Sequence, residues 1–360
     1  MDKKDLDVEV VIPSIRSLRN LEYWREVLDG VHVIVVQDGD PGAMLDIPAG
    51  VNATVWRRPD IEHLLGERSW AISSFDSACR CFGFLVATAR YIYTFDDDCT
   101  PPLHRASRTA NPLRDHLANL GSPSHPDYFN TLYDIEFVRG YPHSLRRGKP
   151  TAISHGLWLE YPDLDAITQR DRPDLRIRDE IPIVQTVPQG AQYSMCGMNV
   201  AFDRELVGPA MYFGLMGAGQ PWGRYDDLWA GWCSKVVCDH LGYGIKTGRP
   251  YVVHQRASDW KSNLKREENG IRWATELHAF FDGITFDTHH TTASQCYIEL
   301  ARQVEVSLAT LDQYFVRLAE AMRVWVNLWE EFAKSGSCPA PRIAVAHAHN
   351  GTFLNMKPTP

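Results

Sequence analysis

Short apolar runs alternate with amphipathic stretches in the first hundred residues of the chain. The β-branched and aromatic runs at 8–12, 31–36 and 91–95 predict three buried strands. Residues 54–56 are a candidate for a fourth strand, and residues 76–90 carry apolar side chains at helical spacing. Strands that alternate with helices are typical of an α/β fold with a parallel sheet, in which ligands gather at the carboxyl ends of the strands.

The pattern changes after residue 100. Residues 100–190 contain many Pro, Gly and Asp residues, which predict loops and short elements. A helix is predicted again at 226–241, and a short strand at 251–253. We find no internal repeat, and we expect residues 1–275 to form one enlarged α/β domain.

A long helix is predicted near the end of the chain, beginning at a capping box formed by Thr310 and Gln313. Its apolar residues recur at alternating spacings of four and three, and several are aromatic. These residues, the C-terminal seam, are Leu311, Phe315, Leu318, Met322, Trp325, Trp329 and Phe332. The seam either packs on its own domain or forms a contact in a homo-oligomer, because large aromatic residues at heptad spacing favour interfaces. We expect a helical extension over 276–336, as a candidate oligomerisation element, and a partly disordered tail at 337–360.

Composition and charge narrow the class of protein. Hydrophobic residues make up 44% of the chain and charged residues 23%, as in ordinary globular proteins. The net charge of −8 repels phosphate backbones, which argues against a nucleic-acid-binding protein. No stretch approaches the ~18 apolar residues that span a membrane. The chain opens without an apolar signal core, and its eight cysteines form no paired metal-binding pattern, so we expect a cytoplasmic protein with reduced thiols.

The predicted strand at 91–95 runs directly into Asp96, Asp97 and Asp98. Three adjacent carboxylates repel one another unless a cation or solvent relieves them. Hard divalent cations bind oxygen ligands and bridge diphosphates. The triplet therefore predicts a metal–diphosphate site with Asp96 and Asp98 as metal ligands. A solvated acidic turn is the alternative.

Two further groups lie at predicted strand ends. Asp38 and Asp40 follow the second strand, where they form either an ordinary Asp-Gly turn or an acceptor for a base N–H or a ribose hydroxyl. His254 ends the short strand at 251–253 and is either a third metal ligand or a structural histidine.

A second acidic pair, Asp226 and Asp227, stands at the start of the predicted helix at 226–241. These carboxylates either bind sugar hydroxyls and act as a base, or stabilise the helix N-terminus. Four aromatic residues are close to them in sequence and are candidate walls of a sugar site. They are Trp222, Tyr225, Trp229 and Trp232.

The segment from Arg139 to Gly148 is basic within an acidic protein. From its residues alone it is either a solvated loop or a phosphate contact.

Together these motifs resemble the reversibly glycosylated polypeptides, that is, the UDP-arabinopyranose mutases. The similar segments keep their order between residues 8 and 275. They are Ile12–Arg16, Val36–Pro41, Asp76–Gly83, Asp96–Cys99, Phe129–Asp134, Ser154–Leu159, Met195–Asn199, Gly208–Met216 and Gly223–Trp232.

The resemblance implies a GT-A-like, Rossmann-type nucleotide-sugar-binding domain over residues 1–275 and a site that depends on Mn²⁺ or Mg²⁺. It also implies a cytosolic enzyme that interconverts the pyranose and furanose forms of a UDP-sugar, with the sugar reversibly attached to Arg146 or to its neighbour Arg147. Asp226 or Asp227 is then the candidate base, because a guanidinium has no lone pair until it loses a proton. The residues expected to bind the nucleotide are Ile12, Pro13, Arg16, Asp38, Asp76, Arg80, Asp96 and Asp97.

The chain departs from the pattern of these mutases at three positions. His143 stands in place of Phe, Arg147 in place of Glu, and Trp222 in place of a smaller aliphatic residue. These differences allow a mutase for another nucleotide sugar. The sequence is also compatible with a metal-dependent glycosyltransferase, a self-glycosylating protein or a non-catalytic subunit.

Overall fold

The computed structural model of the protein describes residues 7–43, 45–102, 111–255 and 259–335. The strands within these residues are β1 (Val8–Ser14), β2 (His32–Gln37), β3 (Ala53–Arg57), β4 (Tyr91–Phe95), β5 (Cys99–Thr100), β6 (Thr151–Glu160), β7 (Val184–Thr186), β8 (Asn199–Asp203) and β9 (Gly244–His254). The helices are α1 (Leu21–Trp24), α2 (Arg58–Leu65), α3 (Arg80–Val86), α4 (Pro112–Leu120), α5 (Ala166–Asp171), α6 (Arg204–Val207), α7 (Asp226–Leu241), α8 (Trp260–Asp282), α9 (Ala293–Leu308) and α10 (Tyr314–Ser335). This is an α/β fold, as the sequence predicts, although its sheet contains antiparallel pairs as well as the expected parallel ones.

All nine strands belong to one sheet, in the order β3-β2-β1-β4-β8-β6-β9-β5, with β7 also paired to β9. β1 is parallel to β2 and β4, and β2 is parallel to β3. β8 is antiparallel to β4 and to β6, whereas β6 and β9 are parallel. Strands β1, β2, β3, β4, β6 and β9 therefore run in one direction. We call the edge where they end the carboxyl edge and the edge where they begin the amino edge.

Hydrophobic clusters cover both faces of the sheet. Val10 and Ile12 of β1 face one cluster, and Val11 faces the other, because successive side chains of a strand point to opposite faces. Burial on both faces explains why these strands are continuous apolar runs in the sequence.

The C-terminal seam packs within its own chain. The Trp325 indole N–H donates to the carbonyl oxygen of Pro209 at 2.9 Å, and its ring stacks on Tyr212 with centroids 5.3 Å apart. Phe315 and Leu318 are completely buried. The first of the two interpretations of the seam is therefore the one the structure adopts, and a homo-oligomer stays a prediction.

Two expectations about the ends of elements are wrong. α10 begins at Tyr314, whose N–H is bonded at 2.8 Å by the side chain of Asp312, so Thr310 does not open it. The helix expected at 76–90 is a 3₁₀ turn followed by α3 and ends at Val86.

α8 runs through residue 275, so the expected domain boundary falls inside a helix. The expected tail at 337–360 lies outside the described residues.

Within the described residues, none of the helices combines the length and the apolarity needed to cross a bilayer.

Candidate functional site

A cavity of about 590 Å³ opens at the carboxyl edge of the sheet. Its lining comes from the loops that follow β1, β2, β4 and β9 and from the first turns of α7 and α8. We call this cavity the cleft. Its position agrees with the general rule that ligands of parallel sheets bind beyond the carboxyl ends of the strands.

The aspartate triplet lies on the cleft directly after β4. Arg16, from the loop after β1, forms an ion pair with Asp97, and its Nη1 lies 3.3 Å from Oδ2 of Asp98. The Ser14 hydroxyl also donates to Asp97 at 3.0 Å. Burial raises the pKa of the Asp97 carboxyl although Arg16 opposes the shift. Asp97 thus ties the loop after β1 to the loop after β4.

Asp96 forms an ion pair with Arg80, a residue that is only 1% exposed. Arg80 also donates to the Thr94 hydroxyl at 3.1 Å and to the Gly197 carbonyl oxygen at 2.7 Å. A buried guanidinium with this many acceptors is stable because its charge is compensated. Arg80 is not among the residues that line the cleft, so it acts on the cleft through Asp96.

His254 ends β9 and faces the triplet. Its Nδ1 lies 2.8 Å from the Tyr161 carbonyl oxygen, which can only accept, so Nδ1 carries the proton. Its Nε2 then presents a lone pair and lies 3.9 Å from Oδ1 of Asp98. Burial and the charge of Asp96 raise the pKa of the Asp98 carboxyl.

The oriented imidazole and the two carboxylates of Asp96 and Asp98 are donors of the kinds that a divalent cation such as Mn²⁺ or Mg²⁺ binds, although among the described residues only Asp163, Cys196 and Asp227 bring such atoms within 4.8 Å of one another. A histidine whose Nδ1–H is fixed by a carbonyl is the usual arrangement behind a metal ligand. Oxygen donors with one imidazole suit these hard or borderline ions. The metal assignment stays a prediction.

A second set of carboxyl groups lines the other side of the cleft. The Asp76 N–H donates to Oδ2 of Asp38 at 2.9 Å, and Arg266 donates to Oδ2 of Asp76 at 2.8 Å. The Ser77 hydroxyl donates to Asp226 at 2.6 Å. The loop after β2 is thereby joined to the start of α3 and of α7. These contacts bring together Asp38, Asp76 and Asp226, as the sequence predicts for one site.

Crowding and burial shift the acidity of this set. Burial raises the pKa of Asp38 to about 6 and that of Asp76 to about 7, with the charge of Asp226 adding to the second shift. Burial also raises the pKa of Asp226, and burial together with Asp226 raises that of Asp227 well above its ordinary value. Carboxyl groups that titrate near neutrality can exchange protons with a substrate at physiological pH.

Several lining residues were missed by the sequence analysis, and three of them carry groups that the chemistry can use. Phe75 is 71% exposed and has a φ of 57°, a conformation that costs energy for a residue with a side chain. A carboxylate oxygen of Asp163 lies within 4.8 Å of the Cys196 sulfur and of a carboxylate oxygen of Asp227. Arg266, on α8, reaches Asp76 from 190 residues further along the chain. Of these, only Phe75 had a signal in the sequence, because it is an aromatic residue directly before the recognised segment Asp76–Gly83.

The expected aromatic wall of the sugar site is wrong. Trp222 and Trp229 are 2% and 0% exposed, and both pack in the core against Phe315. Trp222 also stacks on Tyr225 at 5.2 Å. These rings fill the space between α7, α8 and α10, because their large apolar area outweighs their nearness in sequence to Asp226. None of the four aromatic residues is among the described residues that line the cleft.

Two other expected nucleotide contacts differ in position. Pro13 lines the cleft, whereas Ile12 is fully buried in the sheet and supports β1. Arg16 and Asp38 line the cleft, and their contact with a nucleotide stays a prediction.

Arg146 lies at the amino edge, not at the cleft. It precedes β6, and its carbonyl oxygen lies 3.2 Å from Nε2 of His125. The backbone N–H of His125 donates to the hydroxyl of Thr186, whose strand pairs with the early part of β9. The Arg146 guanidinium lies over the Phe137 ring at 5.0 Å, and its buried Nε has no hydrogen-bond partner. The structure does not bring Arg146 together with Asp226 and Asp227, and its role stays a prediction.

Comparison with known proteins identifies the relatives of this chain. The family model described as reversibly glycosylated polypeptide matches residues 3–334. "Probable UDP-arabinopyranose mutase 1" of Pisum sativum is 52% identical over 336 residues, which cover 92% of each chain. "UDP-arabinopyranose mutase 3" of Arabidopsis thaliana is 50% identical over 343 residues, which cover 93% of this chain and 95% of that one. A match over nearly the whole length, with the cleft motifs inside it, is decisive for membership. The chain belongs to the reversibly glycosylated polypeptide family.

Proposed function

We propose that this protein is a mutase that interconverts UDP-arabinopyranose and UDP-arabinofuranose. The observation that carries the proposal is the assembly of Asp96, Asp98 and His254 in one cleft with Asp38. Relatives with half of their residues identical bear the name of this activity. A UDP-sugar needs a cation site for its diphosphate and a hydrogen-bond acceptor for its base or ribose, and both kinds of group lie in this cleft.

We infer a GT-A-like arrangement for the nucleotide half of the sheet. The order β3-β2-β1-β4 is that of a Rossmann-type nucleotide-binding half. The antiparallel β8 beside β4 and the aspartate triplet after β4 support this assignment.

Residues from the loops after β1 and β2 would hold the nucleoside. The Asp38 carboxylate is the acceptor for a base N–H or a ribose hydroxyl. The exposed ring of Phe75 stands two residues before Ser77 and one before Asp76, where it offers a flat surface for base stacking. Pro13 and Arg16 line the same end of the cleft.

The diphosphate would lie at the triplet. Asp96, Asp98 and His254 would hold Mn²⁺ or Mg²⁺, which supplies positive charge to the diphosphate as the bond to the sugar breaks. Arg16 and Arg266 border the cleft and add fixed positive charge without a metal.

The chemistry requires a nucleophile that carries the sugar and a base that activates it. Arg146 is the proposed carrier. Its guanidinium needs to lose a proton before it can bond to carbon. Asp226 and Asp227 are the proposed bases, and burial raises the pKa of both carboxyls, which makes each a stronger base when it is ionised. While the sugar is held on the protein, its ring can open and close through another hydroxyl before UDP returns, and confinement in one site favours that return.

Product analysis tests the proposal. Purified protein is incubated with UDP-arabinopyranose and Mn²⁺ without any acceptor, and the nucleotide sugars are separated by chromatography. We expect UDP-arabinofuranose to form, and a panel of other UDP-pyranoses serves as the control for the sugar. Protein-bound sugar or free UDP without any furanose product would instead identify a self-glycosylating transferase.

A further inference from the structure

The proposed sugar carrier and the cleft lie at opposite edges of the sheet. Arg146 is held near Lys246, the residue of β9 that pairs with Thr186. The cleft residue His254 ends the same strand. Lys246 and His254 pair with Ser154 and Glu160 of β6, because β9 has an irregularity between them, and six residues of β6 correspond to roughly 20 Å at the usual rise of a strand. An arginine side chain is far shorter than that, so the Arg146 guanidinium does not reach the cleft of its own chain.

The segment before Arg146 is anchored and does not lie free to swing across the sheet. Asp134 accepts hydrogen bonds from the backbone N–H of Thr186 at 2.9 Å and from its hydroxyl at 2.6 Å. Lys149, on the other side of Arg146, exchanges backbone hydrogen bonds with Ser124 at 2.8 and 2.9 Å. Moving Arg146 to the other edge would break these contacts.

The surface beside Arg146 has the character of an interface. Tyr133 and Asp134 have φ angles of 51° and 57°, a strained conformation that persists because contacts such as those of Asp134 with Thr186 hold the loop in place. This loop exposes four large apolar side chains, which we call the amino-edge patch: Phe129 (52% exposed), Leu132 (43%), Tyr133 (42%) and Ile135 (76%). Exposed apolar groups gathered beside a charged segment mark a surface that another molecule covers.

The charges of the two edges are complementary. The segment 139–149 contains three arginines and a lysine and no carboxylate. The cleft is lined by nine aspartates and three arginines. A second copy of the chain therefore offers the acidic surface that a guanidinium of this segment would enter, and opposite potentials favour such an encounter.

We propose that Arg146 of one copy enters the cleft of a second copy and receives the sugar there, with the amino-edge patch docked beside the mouth of that cleft. This inference rests on the proposed function. The contact joins two different surfaces and is therefore head-to-tail, so it closes into a ring or continues along a chain of copies.

The transfer between copies balances as a simple displacement. A guanidine nitrogen of Arg146 bonds to C1 of the sugar as the bond from C1 to the diphosphate oxygen breaks. The electron pair of that bond leaves with UDP, and the proton of the guanidinium passes to a carboxylate of the receiving cleft. The reverse displacement by UDP restores the arginine and returns the proton.

Complementation between two inactive chains tests the proposal. A donor chain carries Arg146→Lys with Arg147→Lys and keeps its cleft intact. An acceptor chain carries Asp96→Asn with Asp98→Asn and keeps both arginines. The chains have tags of different size, are produced together, and are incubated with UDP-[¹⁴C]arabinopyranose and Mn²⁺ before separation by denaturing electrophoresis.

We expect each variant alone to remain unlabelled and the co-produced pair to carry label on the acceptor chain. Absence of label from the pair, while wild type is labelled, would overturn transfer between copies and leave the proposed function intact. Absence of label from wild type would instead count against the proposed function itself.

A surface variant gives a second test that keeps both sites intact. Ile135→Glu places a charge in the amino-edge patch while Arg146 and the cleft stay intact, and we expect covalent labelling to fall severalfold while UDP affinity is unchanged. Val306→Glu, at an exposed position on α9 (66% exposed), is the matched control and should label normally. Equal labelling of both variants would contradict the docking of this patch.

Discussion

The two edges of the sheet differ in charge, in burial and in how they are built. The carboxyl edge gathers aspartates on loops that follow separate strands, and arginines such as Arg16 and Arg266 compensate only part of the charge. The amino edge carries the basic segment 139–149 and an exposed apolar patch on an anchored loop. In the proposed function the first edge binds the nucleotide with a cation, and the second presents an arginine.

The difference teaches that one fold can keep the proposed sugar carrier apart from the proposed donor site. A guanidinium placed permanently among the cleft carboxylates would form ion pairs, as Arg80 does with Asp96, and would be held there as a cation. At the amino edge Arg146 instead lies over an aromatic ring with its Nε unpaired. Separation thus keeps the proposed carrier free of the carboxylates that we propose to activate it.

The largest expected effect comes from the amino edge. Arg146→Lys should reduce covalent labelling by about a thousandfold or more, as loss of an enzyme's nucleophile does, while UDP affinity by calorimetry stays that of wild type. Arg147→Lys, one residue away and exposed, is the matched control and should keep its label. If Arg146→Lys also lost UDP binding, the two edges would not be functionally separate.

Removal of a proposed metal ligand should act only at the carboxyl edge. Asp98→Asn should weaken UDP binding in the presence of Mn²⁺ by about 10–100-fold, because the cation loses a charged ligand. Asp40→Asn is the control, since Asp40 is exposed and outside the cleft lining. Calorimetry with and without Mn²⁺ measures both. An affinity of Asp98→Asn that equals that of wild type under both conditions would contradict a metal at this position.

Loss of the exposed aromatic ring should have a smaller effect. Phe75→Ala should weaken UDP binding by roughly tenfold, since stacking of a base on an aromatic ring contributes ~1–3 kcal/mol. Phe129→Ala removes a comparably exposed ring at the amino edge and should leave UDP affinity unchanged. Equal losses in the two variants would remove the distinction between the edges for nucleotide binding.

The pH dependence of stability distinguishes the cleft carboxyls from other buried groups. The folded protein protonates Asp76 at about 7 and the unfolded chain at 3.8, so the folded state binds more protons between these values. Stability from this group is fully present below 3.8 and is lost as pH rises through 7, by at most about 1.4 kcal/mol per pH unit.

Asp76→Asn removes that slope. The free energy of unfolding of wild type minus that of the variant should therefore decrease from pH 4 to pH 7 and then level off. His116, whose pKa burial lowers to about 4, gives a slope of opposite sign, but it is present in both proteins and cancels in the difference. Urea denaturation without nucleotide measures the free energy of unfolding of both proteins. If their difference did not change between pH 4 and pH 7, Asp76 would be ionised throughout this range.

The carboxyl edge was largely predictable from the sequence. Continuous apolar runs identified β1, β2 and β4, and because parallel strands end at one edge, Asp38 and the triplet had to lie close together. His254 was placed correctly at a strand end for the same reason, although β9 is much longer than the predicted 251–253.

The amino edge and the interior between the edges were not predictable. β6 was missed because Ser154 and His155 interrupt its apolar pattern, and their burial depends on partners such as His116 and Thr247 from distant segments. The sequence also places Trp222 and Asp226 close together without indicating that one faces the core and the other the cleft. Whether a residue faces the core or the cleft depends on packing against segments that are distant in the sequence.

Mapping the covalent sugar tests the central claim most directly. Protein labelled with UDP-arabinopyranose is digested, and the pentose is located by tandem mass spectrometry. The account predicts the pentose on Arg146, at the amino edge of the sheet. A pentose attached to a residue that lines the cleft would contradict the separation of the donor site from the sugar carrier.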